Sequence, residues 1–169
     1  MPQTIYIVGT DHKYQHRSSK LTGDQHLGFE SFIGQIIAEN RIALLAEENC
    51  IQAVKENELH ESVLQLVARS HDIDHLFCEL DRKARSERRM GPEDNIRVSG
   101  ILNSSSPEKI EQLIQDSYRR REAHWLQCIM QKELWPTLFI CGANHSEPFH
   151  KLVSQSNTHA VLLSDDWSN

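Results

Sequence analysis

The chain lacks the features that mark membrane proteins and nucleic-acid-binding proteins. No apolar run approaches the roughly 20 residues that a membrane-spanning helix needs, so we expect no membrane segment. Positive charge is in deficit, with 18 Lys and Arg against 24 Asp and Glu and a net charge of −6. Nucleic-acid binding depends on a basic surface that replaces counterions, so nucleic acid is not the expected partner. The arginine clusters at 82–89 and 119–121, where acidic residues are interleaved, leave that role as a third hypothesis.

Several catalytic signatures are also missing from the 169 residues. There is no Gly-x-Gly-x-x-Gly and no phosphate-loop lysine motif, which disfavours nucleotide binding of those types. There is no Gly-x-Ser-x-Gly, so a serine hydrolase lacks its usual turn. His60 and Glu61 are adjacent but have no second histidine at helical spacing, so the His-Glu-x-x-His zinc motif is absent.

Cysteine is scarce and shows no paired spacing. The chain has four cysteines, and none of them forms a Cys-x-x-Cys motif; they are Cys50, Cys78, Cys128 and Cys141. Three lie within or beside apolar runs, so we predict buried, reduced thiols, with a disulfide or a thiolate metal site as the alternative. A strand-like run begins at residue 4, which leaves no room for a signal peptide, and we predict a cytoplasmic protein.

What the chain has instead is one motif that occurs twice. Each copy is an apolar run that ends in glycine and is followed three residues later by histidine. The copies are the run 5–8 with Gly9 and His12, and the run 138–141 with Gly142 and His145. Continuous apolar runs are typical of strands buried on both faces of a parallel sheet. Glycine permits close backbone approach, and histidine can bind metal or transfer protons, so the two strand ends predict a site.

Hydrophobic periodicity divides the rest of the chain into alternating strands and helices. The predicted strands are 4–8, 42–46, 73–78, 138–141 and 160–163, and the predicted helices are 29–40, 50–57, 59–69, 107–134 and 146–156. Two polar segments lack a pattern and are predicted to be loops: 13–28, and 82–106 with one helical turn at 82–89. Whether 82–106 is mobile, closes over the site or contacts a partner is left open. The alternation predicts one α/β domain over 1–169, with a mainly parallel sheet flanked by helices.

Polar residues at the predicted strand ends define the candidate site, because ligands bind beyond the carboxyl ends of parallel strands. The principal candidates are His12, Glu47, Glu48 and His145, and the secondary candidates are Gly9, Asp11, Asp81, Gly142 and Asn144. Glu47 is preferred over Glu48 because it is the first polar residue after its strand. Each residue also has a plain alternative as a loop histidine or a solvated acid.

Two chemistries fit these candidates. His12, His145 and Glu47 could bind a divalent metal such as manganese, cobalt or zinc and leave positions for water and substrate. Without metal, a histidine–glutamate pair could activate water as general base and acid. The residues alone do not decide between them.

Arg121 is a separate candidate, because it interrupts an apolar stripe on the long predicted helix. The stripe consists of Ile110, Leu113, Ile114, Tyr118, Trp125, Cys128 and Ile129. An unpaired buried charge is costly, so we expect Arg121 to meet a carboxylate of the site or of a substrate. The alternative is that its charged end reaches solvent at the edge of the stripe. Glu122 lies off the stripe and is either a partner or exposed.

The order of these motifs resembles the TraB/PrgY/GumN–Tiki superfamily, with erythromycin esterases and haem-binding ChaN-like proteins as more distant kin. The residues that carry the resemblance are 9–12, 46–48, 121–122 and 142–145. The resemblance implies a hydrolase of peptide or ester bonds, either metal-dependent or based on His and Glu. Tiki members are described as metalloproteases, and the esterase members open a macrolactone. The chain departs from the pattern in its short length, in 70–105, and in Glu122, where the family often has Asn or Asp.

The leading hypothesis is therefore a hydrolase in which His12, Glu47 or Glu48, Arg121 and His145 act on a small-molecule or peptide substrate. The alternative is a binding or regulatory protein that holds a metal or a small acidic ligand in the same pocket without turnover. The oligomeric state is left open.

Overall fold

A computed structural model describes residues 3–168 of the chain. The strands are β1 (Thr4–Thr10), β2 (Leu44–Glu47), β3 (Asp74–Phe77), β4 (Thr137–Gly142) and β5 (His159–Trp167). The helices are α1 (His12–Gln15), α2 (Gly23–Asn40), α3 (Ile51–Glu56), α4 (Val63–Ser70), α5 (Arg82–Glu87), α6 (Glu93–Leu102), α7 (Pro107–Lys132) and α8 (Ala143–Ser154).

The five strands form one parallel sheet in the order β3-β2-β4-β1-β5. The predicted α/β fold with a parallel sheet flanked by helices is confirmed. β4 lies between β1 and β2, so the strand that precedes His145 has the strands that precede His12 and Glu48 as its two neighbours. Because all strands run in the same direction, their carboxyl ends share one edge of the sheet, which we call the carboxyl edge.

Each face of the sheet packs against its own pair of helices, because successive side chains of a strand point to opposite faces. On one side, which we call the α2 face, α2 and α4 cover a cluster that includes Val8, Leu45 and Ile140. On the other side, the α7 face, α7 and α8 cover a cluster that includes Ile7, Ala46 and Phe139. Trp125 and Phe149 are the large aromatic side chains that the helices add to the α7 face, and both are fully buried.

The two segments predicted to be loops contain helices, so the loop predictions are wrong there, whereas the helical turn predicted at 82–89 agrees with α5. In 13–28, α1 continues to Gln15 and α2 begins at Gly23, where Thr22 and Gln25 form a capping box. In 82–106, α5 begins after Asp81, which caps it, and α6 occupies Glu93–Leu102. Both α5 and α6 are mostly exposed, so neither has the continuous buried stripe that periodicity detects.

β5 extends beyond the predicted 160–163 through a polar stretch that ends at Trp167. The strand lies at an edge of the sheet, so its polar side chains reach solvent while its backbone still pairs with β1. The Trp167 ring packs against Tyr14, Phe29 and Phe32, and its carbonyl accepts a hydrogen bond from Thr10 Oγ1. β5 thereby secures the segment that leads into α1.

Within residues 3–168, no helix combines the length and the apolar character that crossing a membrane requires. This agrees with the sequence, whose apolar runs are short.

Candidate active site

The carboxyl edge brings His12, Glu48 and Gly142 together from three neighbouring strands. Glu48 follows β2 directly, and its backbone N–H donates to the carbonyl of Ile140 in β4 at 2.8 Å. The Gly142 N–H in turn donates to Glu48 Oε2 at 2.8 Å. A Cβ at Gly142 would lie 2.8 Å from His12 Nε2, so the close approach of that ring requires glycine. The second Gly-x-x-His motif therefore provides both a hydrogen-bond donor and space.

Glu48 lies at the centre of the cluster. Its Oε1 is 3.7 Å from His12 Nε2 and 4.0 Å from His145 Nε2, and it accepts a hydrogen bond from Arg121 Nη2. Burial alone would raise the pKa of Glu48, but His12, Arg121 and His145, together with the Gly142 N–H, outweigh it and lower the pKa to about 2. Glu48 is thus a buried carboxylate that remains ionised at neutral pH.

Arg121 bridges the side-chain carboxylates of Glu48 and Glu79, which follow β2 and β3. Its side chain is 9% exposed, and its Nε donates to Glu79 Oε2 at 2.7 Å while Nη2 contacts both Glu79 and Glu48. The guanidinium also lies over the ring of Trp125, 5.0 Å from its centroid. Burial opposes the charge of Arg121, but Glu48 and Glu79 more than offset this and raise its pKa. The expectation that Arg121 meets a carboxylate agrees with these contacts.

His145 is enclosed by α7 and has a partner on each ring nitrogen. Its Nδ1 lies 2.7 Å from Glu122 Oε1, and its Nε2 lies 3.2 Å from Arg121 Nη1. A guanidinium can only donate, so Nε2 accepts and the hydrogen on Nδ1 is donated to Glu122. The rings of Tyr118 and Trp125 pack edge-on against the imidazole. His145 is therefore held in one orientation and one tautomer.

His12 differs from His145 in its access to solvent. Its side chain is 47% exposed, whereas that of His145 is 5% exposed. His12 Nδ1 lies 2.7 Å from Gln15 Oε1, and its Nε2 faces Glu48 across 3.7 Å. Of the two predicted histidines, His12 is the one that a dissolved molecule can reach.

The structure does not bring Glu47 to this cluster, although Glu47 was the preferred acid and a predicted metal ligand. As the last residue of β2, it points to the α2 face like Leu45 two positions earlier. Its Oε1 accepts from Ser62 and lies 2.8 Å from His75 Nε2, and its Oε2 accepts from Asn49 at 3.2 Å. Glu47 is fully buried and forms a separate polar network.

The secondary candidates have positioning roles or lie at the edges of the site. Asp11 caps α1 through the Lys13 N–H, and Asp81 caps α5 through the Ala84 N–H. A Cβ at Gly9 would lie 2.0 Å from the Asp165 carbonyl oxygen, so Gly9 allows β5 to pack closely. Asn144 is exposed and lines a cavity of about 360 Å³ that Glu122 also borders.

The structure does not bring the predicted metal ligands His12, Glu47 and His145 together, because Glu47 contacts Ser62 and His75 instead. The guanidinium of Arg121 contacts both Glu48 Oε1 and His145 Nε2, so a positive group already occupies the donors that a cation would use. Within residues 3–168, no group of three His, Cys, Asp or Glu side chains is arranged to hold a metal ion. All four cysteines are free thiols, and burial raises the pKa of Cys78 and Cys141, so neither favours the thiolate form that binds metal.

Sequence reasoning missed two residues of the site, Gln15 and Glu79, and left the role of Glu122 open. Glu79 follows the predicted third strand and could have been found by the same strand-end rule that selected Asp81. Glu122 is adjacent to Arg121 on α7 and is 4% exposed, so both neighbours are buried on one helix. Gln15 lies three positions after His12, a spacing that places side chains together only where the backbone is helical.

A second cavity, of about 610 Å³, lies beside the cluster at the ends of β2 and β3. Glu79 lines it, together with Phe77, Ile51 and Lys55. Glu79 therefore contacts both this cavity and Arg121.

The chain matches no protein-family model, no curated protein and no solved structure. The resemblance to the TraB/PrgY/GumN–Tiki superfamily accordingly stays a prediction.

Proposed function

We propose that the chain is a hydrolase of ester or peptide bonds that activates water with His12 and Glu48. The observation that carries the proposal is the 3.7 Å approach of half-exposed His12 Nε2 to the buried, ionised carboxylate of Glu48. A solvent-accessible imidazole beside a fixed negative charge is the arrangement that general acid–base catalysis uses. The earlier preference for Glu47 as the acid is replaced by Glu48.

The proposed reaction uses His12 twice. His12 Nε2 takes a proton from a water molecule as the water oxygen attacks the carbonyl carbon of the substrate. Glu48 stabilises the imidazolium that forms, because their charges are opposite and the carboxylate is buried. His12 then returns the proton to the leaving alcohol or amine as the carbonyl–heteroatom bond breaks, which restores the neutral histidine.

Arg121 and His145 keep the acid in place in this proposal. Arg121 holds the Glu48 carboxylate and is itself fixed by Glu79 and by the lone pair of His145 Nε2. Glu122 orients His145 in turn. Contacts run in sequence from Glu122 to His145, Arg121 and Glu48, and so connect α7 and α8 to the end of β2. This supports a preorganised rather than an adaptable site.

The substrate class follows from the surroundings of the site. The cavity that Glu79 lines next to this cluster combines the apolar side chains of Ile51 and Phe77 with the cationic Lys55 and the acidic residues Glu56, Glu79 and Asp81. A small ester or a short peptide with an apolar group fits that mixture better than a nucleic acid, which the net charge of −6 also disfavours. Membership of the TraB–Tiki group is part of this proposal.

A second candidate, a protein that binds a small acidic ligand without turnover, is favoured by the closure of the cluster. Apart from His12, the side chains of Glu48, Arg121 and His145 are less than 10% exposed and satisfy one another. A reacting carbonyl can therefore reach His12 directly, but it reaches Arg121 only after a rearrangement. Turnover distinguishes the two candidates.

The test is a panel of para-nitrophenyl esters and para-nitroanilide peptides. It is run with wild type, His12→Gln, Glu48→Gln and the exposed control His60→Gln. We expect turnover that falls by about 100-fold or more in the first two variants, the size of a lost general base, and is unchanged in the control. Equal turnover in wild type and His12→Gln would contradict the proposal. Ligand retention with no turnover would favour the binding protein.

A calorimetric titration with manganese, cobalt and zinc tests the metal-dependent alternative. Because Arg121 occupies the donors, we expect no stoichiometric binding to wild type. Binding that disappears in both His12→Ala and His145→Ala, with folding retained, would instead place both histidines in one metal site.

A further inference from the structure

Gln15 is a buried side chain whose only hydrogen bond within the described residues is to His12. The residue is 0% exposed, and its Oε1 lies 2.7 Å from His12 Nδ1. Its Nε2 has no partner there although it is buried from solvent. A long polar side chain is costly to bury and to order, so a buried glutamine with a single hydrogen bond indicates a specific role for that bond.

The position of Gln15 is fixed because α1 is anchored by a cap and by an aromatic contact. Asp11 caps the start of the helix by accepting from the Lys13 N–H at 2.9 Å. Tyr14 is 1% exposed and packs against the rings of Phe29 and Trp167. Because residues three apart on a helical turn are neighbours, this fixed turn places Gln15 under the His12 ring.

We infer that Gln15 is a positioning residue that fixes the tautomer and the orientation of His12. The amide oxygen accepts the hydrogen of Nδ1, so the lone pair of the neutral ring lies on Nε2, which faces Glu48. This inference rests on the proposed function for its catalytic meaning, because Nε2 is the atom that takes the proton from water.

The oxygen of Gln15, rather than its NH₂ group, suits both states of the proposed cycle. Neutral His12 with hydrogen on Nδ1 donates to Oε1, and protonated His12 donates to the same oxygen through the same bond. The opposite amide orientation would place NH₂ against an N–H as soon as the ring gained its proton. Gln15 Oε1 therefore needs no rearrangement when the proton moves.

The two histidines are consequently supported in different ways. His145 donates to the carboxylate of Glu122, and its Nε2 is occupied by Arg121. His12 donates to a neutral amide, and its Nε2 faces Glu48 with its side chain 47% exposed. The structure thus assigns proton transfer to His12 and support of Arg121 to His145.

The experiment combines the ring-nitrogen NMR spectrum of isotope-labelled histidine with kinetics on the para-nitrophenyl ester panel. The variants are Gln15→Met, which keeps the length but removes the acceptor, Gln15→Glu, which restores it, and Gln35→Met as an exposed control. The His12 signals are identified by their absence in His12→Gln. The methionine variant removes a buried amide whose Nε2 has no partner, and the one donor that it leaves unpaired belongs to half-exposed His12, which solvent can reach, so the variant should fold.

In wild type we expect His12 to carry its hydrogen on Nδ1 alone. In Gln15→Met we expect a mixture of tautomers and a kcat reduced by at least about tenfold, with KM within about twofold of wild type. Gln15→Glu should restore the single tautomer and most of the turnover, and Gln35→Met should match wild type. A purely structural role would change stability in Gln15→Met but would not give rescue by glutamate.

Two outcomes would overturn the inference. One is a wild-type His12 that carries its hydrogen on Nε2, which needs no variant to fold. The other is a Gln15→Met protein that is folded and keeps the Nδ1–H tautomer. If instead the tautomer behaves as expected and no substrate of the panel is hydrolysed, the positioning role stands and the proposed hydrolase activity fails.

Discussion

Glu47 and Glu48 are neighbours in the chain, yet their carboxylates belong to different networks on opposite sides of the sheet. Glu47 bonds to Ser62, His75 and Asn49, whereas Glu48 contacts His12 and the guanidinium of Arg121. A pair of acids that looks redundant in the sequence is therefore divided between a buried structural network and the candidate active site.

The first prediction concerns this division. Glu48→Gln removes the charge that stabilises the His12 imidazolium, so kcat should fall by about 100-fold or more. Glu47→Gln should leave kcat nearly unchanged. It should lower the free energy of unfolding by about 1–3 kcal/mol, because one buried carboxylate oxygen that accepts hydrogen bonds is replaced by an NH₂ group that cannot accept them. Kinetics on the active panel substrate and urea unfolding check both variants. A loss of turnover in Glu47→Gln as large as in Glu48→Gln would contradict the separation.

The second prediction concerns the buried ion pairs of Arg121. Arg121→Met leaves Glu48 and Glu79 buried without their positive partner, so the free energy of unfolding should fall by about 3–5 kcal/mol. Arg119→Met is the matched control on the same helix, because the Arg119 side chain is 73% exposed. The control should change stability by at most about 0.5 kcal/mol. Equal effects of the two substitutions in urea unfolding would show that Arg121 is not the counter-charge.

The third prediction concerns stability in acid. The pKa of Glu48 is about 2 in the folded chain and lies near its ordinary value of 4.5 when the chain is unfolded. A lowered folded pKa means that the stabilisation is fully present above pH 4.5 and is lost as the pH falls towards 2.

Glu48→Gln cannot titrate at this position, so it should lack that part of the acid dependence. Between these pH values wild type should lose about 3 kcal/mol more unfolding free energy than Glu48→Gln, since each pKa unit corresponds to about 1.4 kcal/mol. Urea unfolding at several pH values measures the difference. Parallel curves for the two proteins would mean that the carboxylate is not stabilised in its ionised form.

The fourth prediction compares three glycines. Gly142→Ala places a Cβ 2.8 Å from His12 Nε2, which a half-exposed ring can avoid by moving, so turnover should fall while stability changes little. Gly9→Ala places a Cβ 2.0 Å from the backbone oxygen of Asp165, which cannot move without shifting β5. It should therefore cost about 1–3 kcal/mol of stability.

Gly23→Ala is the control for both, because a Cβ there meets nothing within 4 Å and the residue begins α2. It should leave turnover unchanged and stability equal or slightly higher, since alanine favours the helix. Thermal unfolding and the ester assay distinguish the three variants. Unchanged turnover in a folded Gly142→Ala would show that the His12 ring does not need its observed place.

The middle of the sheet could be predicted from the sequence because β1, β2 and β4 are largely apolar runs buried on both faces, whereas β3 and β5 contain polar residues and are partly exposed. The contact of Arg121 with a carboxylate could also be predicted, since a charge on an apolar stripe requires a partner. α1, α6 and the first turns of α2 could not be recognised by the apolar pattern, whereas a helical turn was predicted at 82–89, where α5 lies. The amphipathic signal of these segments is weak, and two of their helices begin at local signals: the capping box at Thr22 and the cap at Asp81.

The choice between Glu47 and Glu48 depended on which residue ends β2, and a shift of one position exchanges the two faces of the sheet. Apolar runs do not fix that position, because the strand is buried on both sides. Gln15 was missed because its contact with His12, three positions earlier, needs a helical turn in a segment that was predicted to be a loop. Glu79 follows the predicted third strand, but its contact with Arg121 at 2.7 Å joins residues 42 positions apart, which no local pattern contains.

The place of β4 between β1 and β2 has a consequence for folding. The first 102 residues contain His12, Glu48 and Glu79, but β1 and β2 cannot pair with each other, because residues 137–142 separate them. β4 completes the middle of the sheet, and its last residue, Gly142, donates its N–H to Glu48. α8, which contains His145, follows β4 directly. Assembly of the reactive groups is thereby tied to two long-range strand pairings, β4 with β1 and β4 with β2, which are entropically costly to close. A partly folded chain that lacks β4 has neither a continuous sheet nor an assembled site.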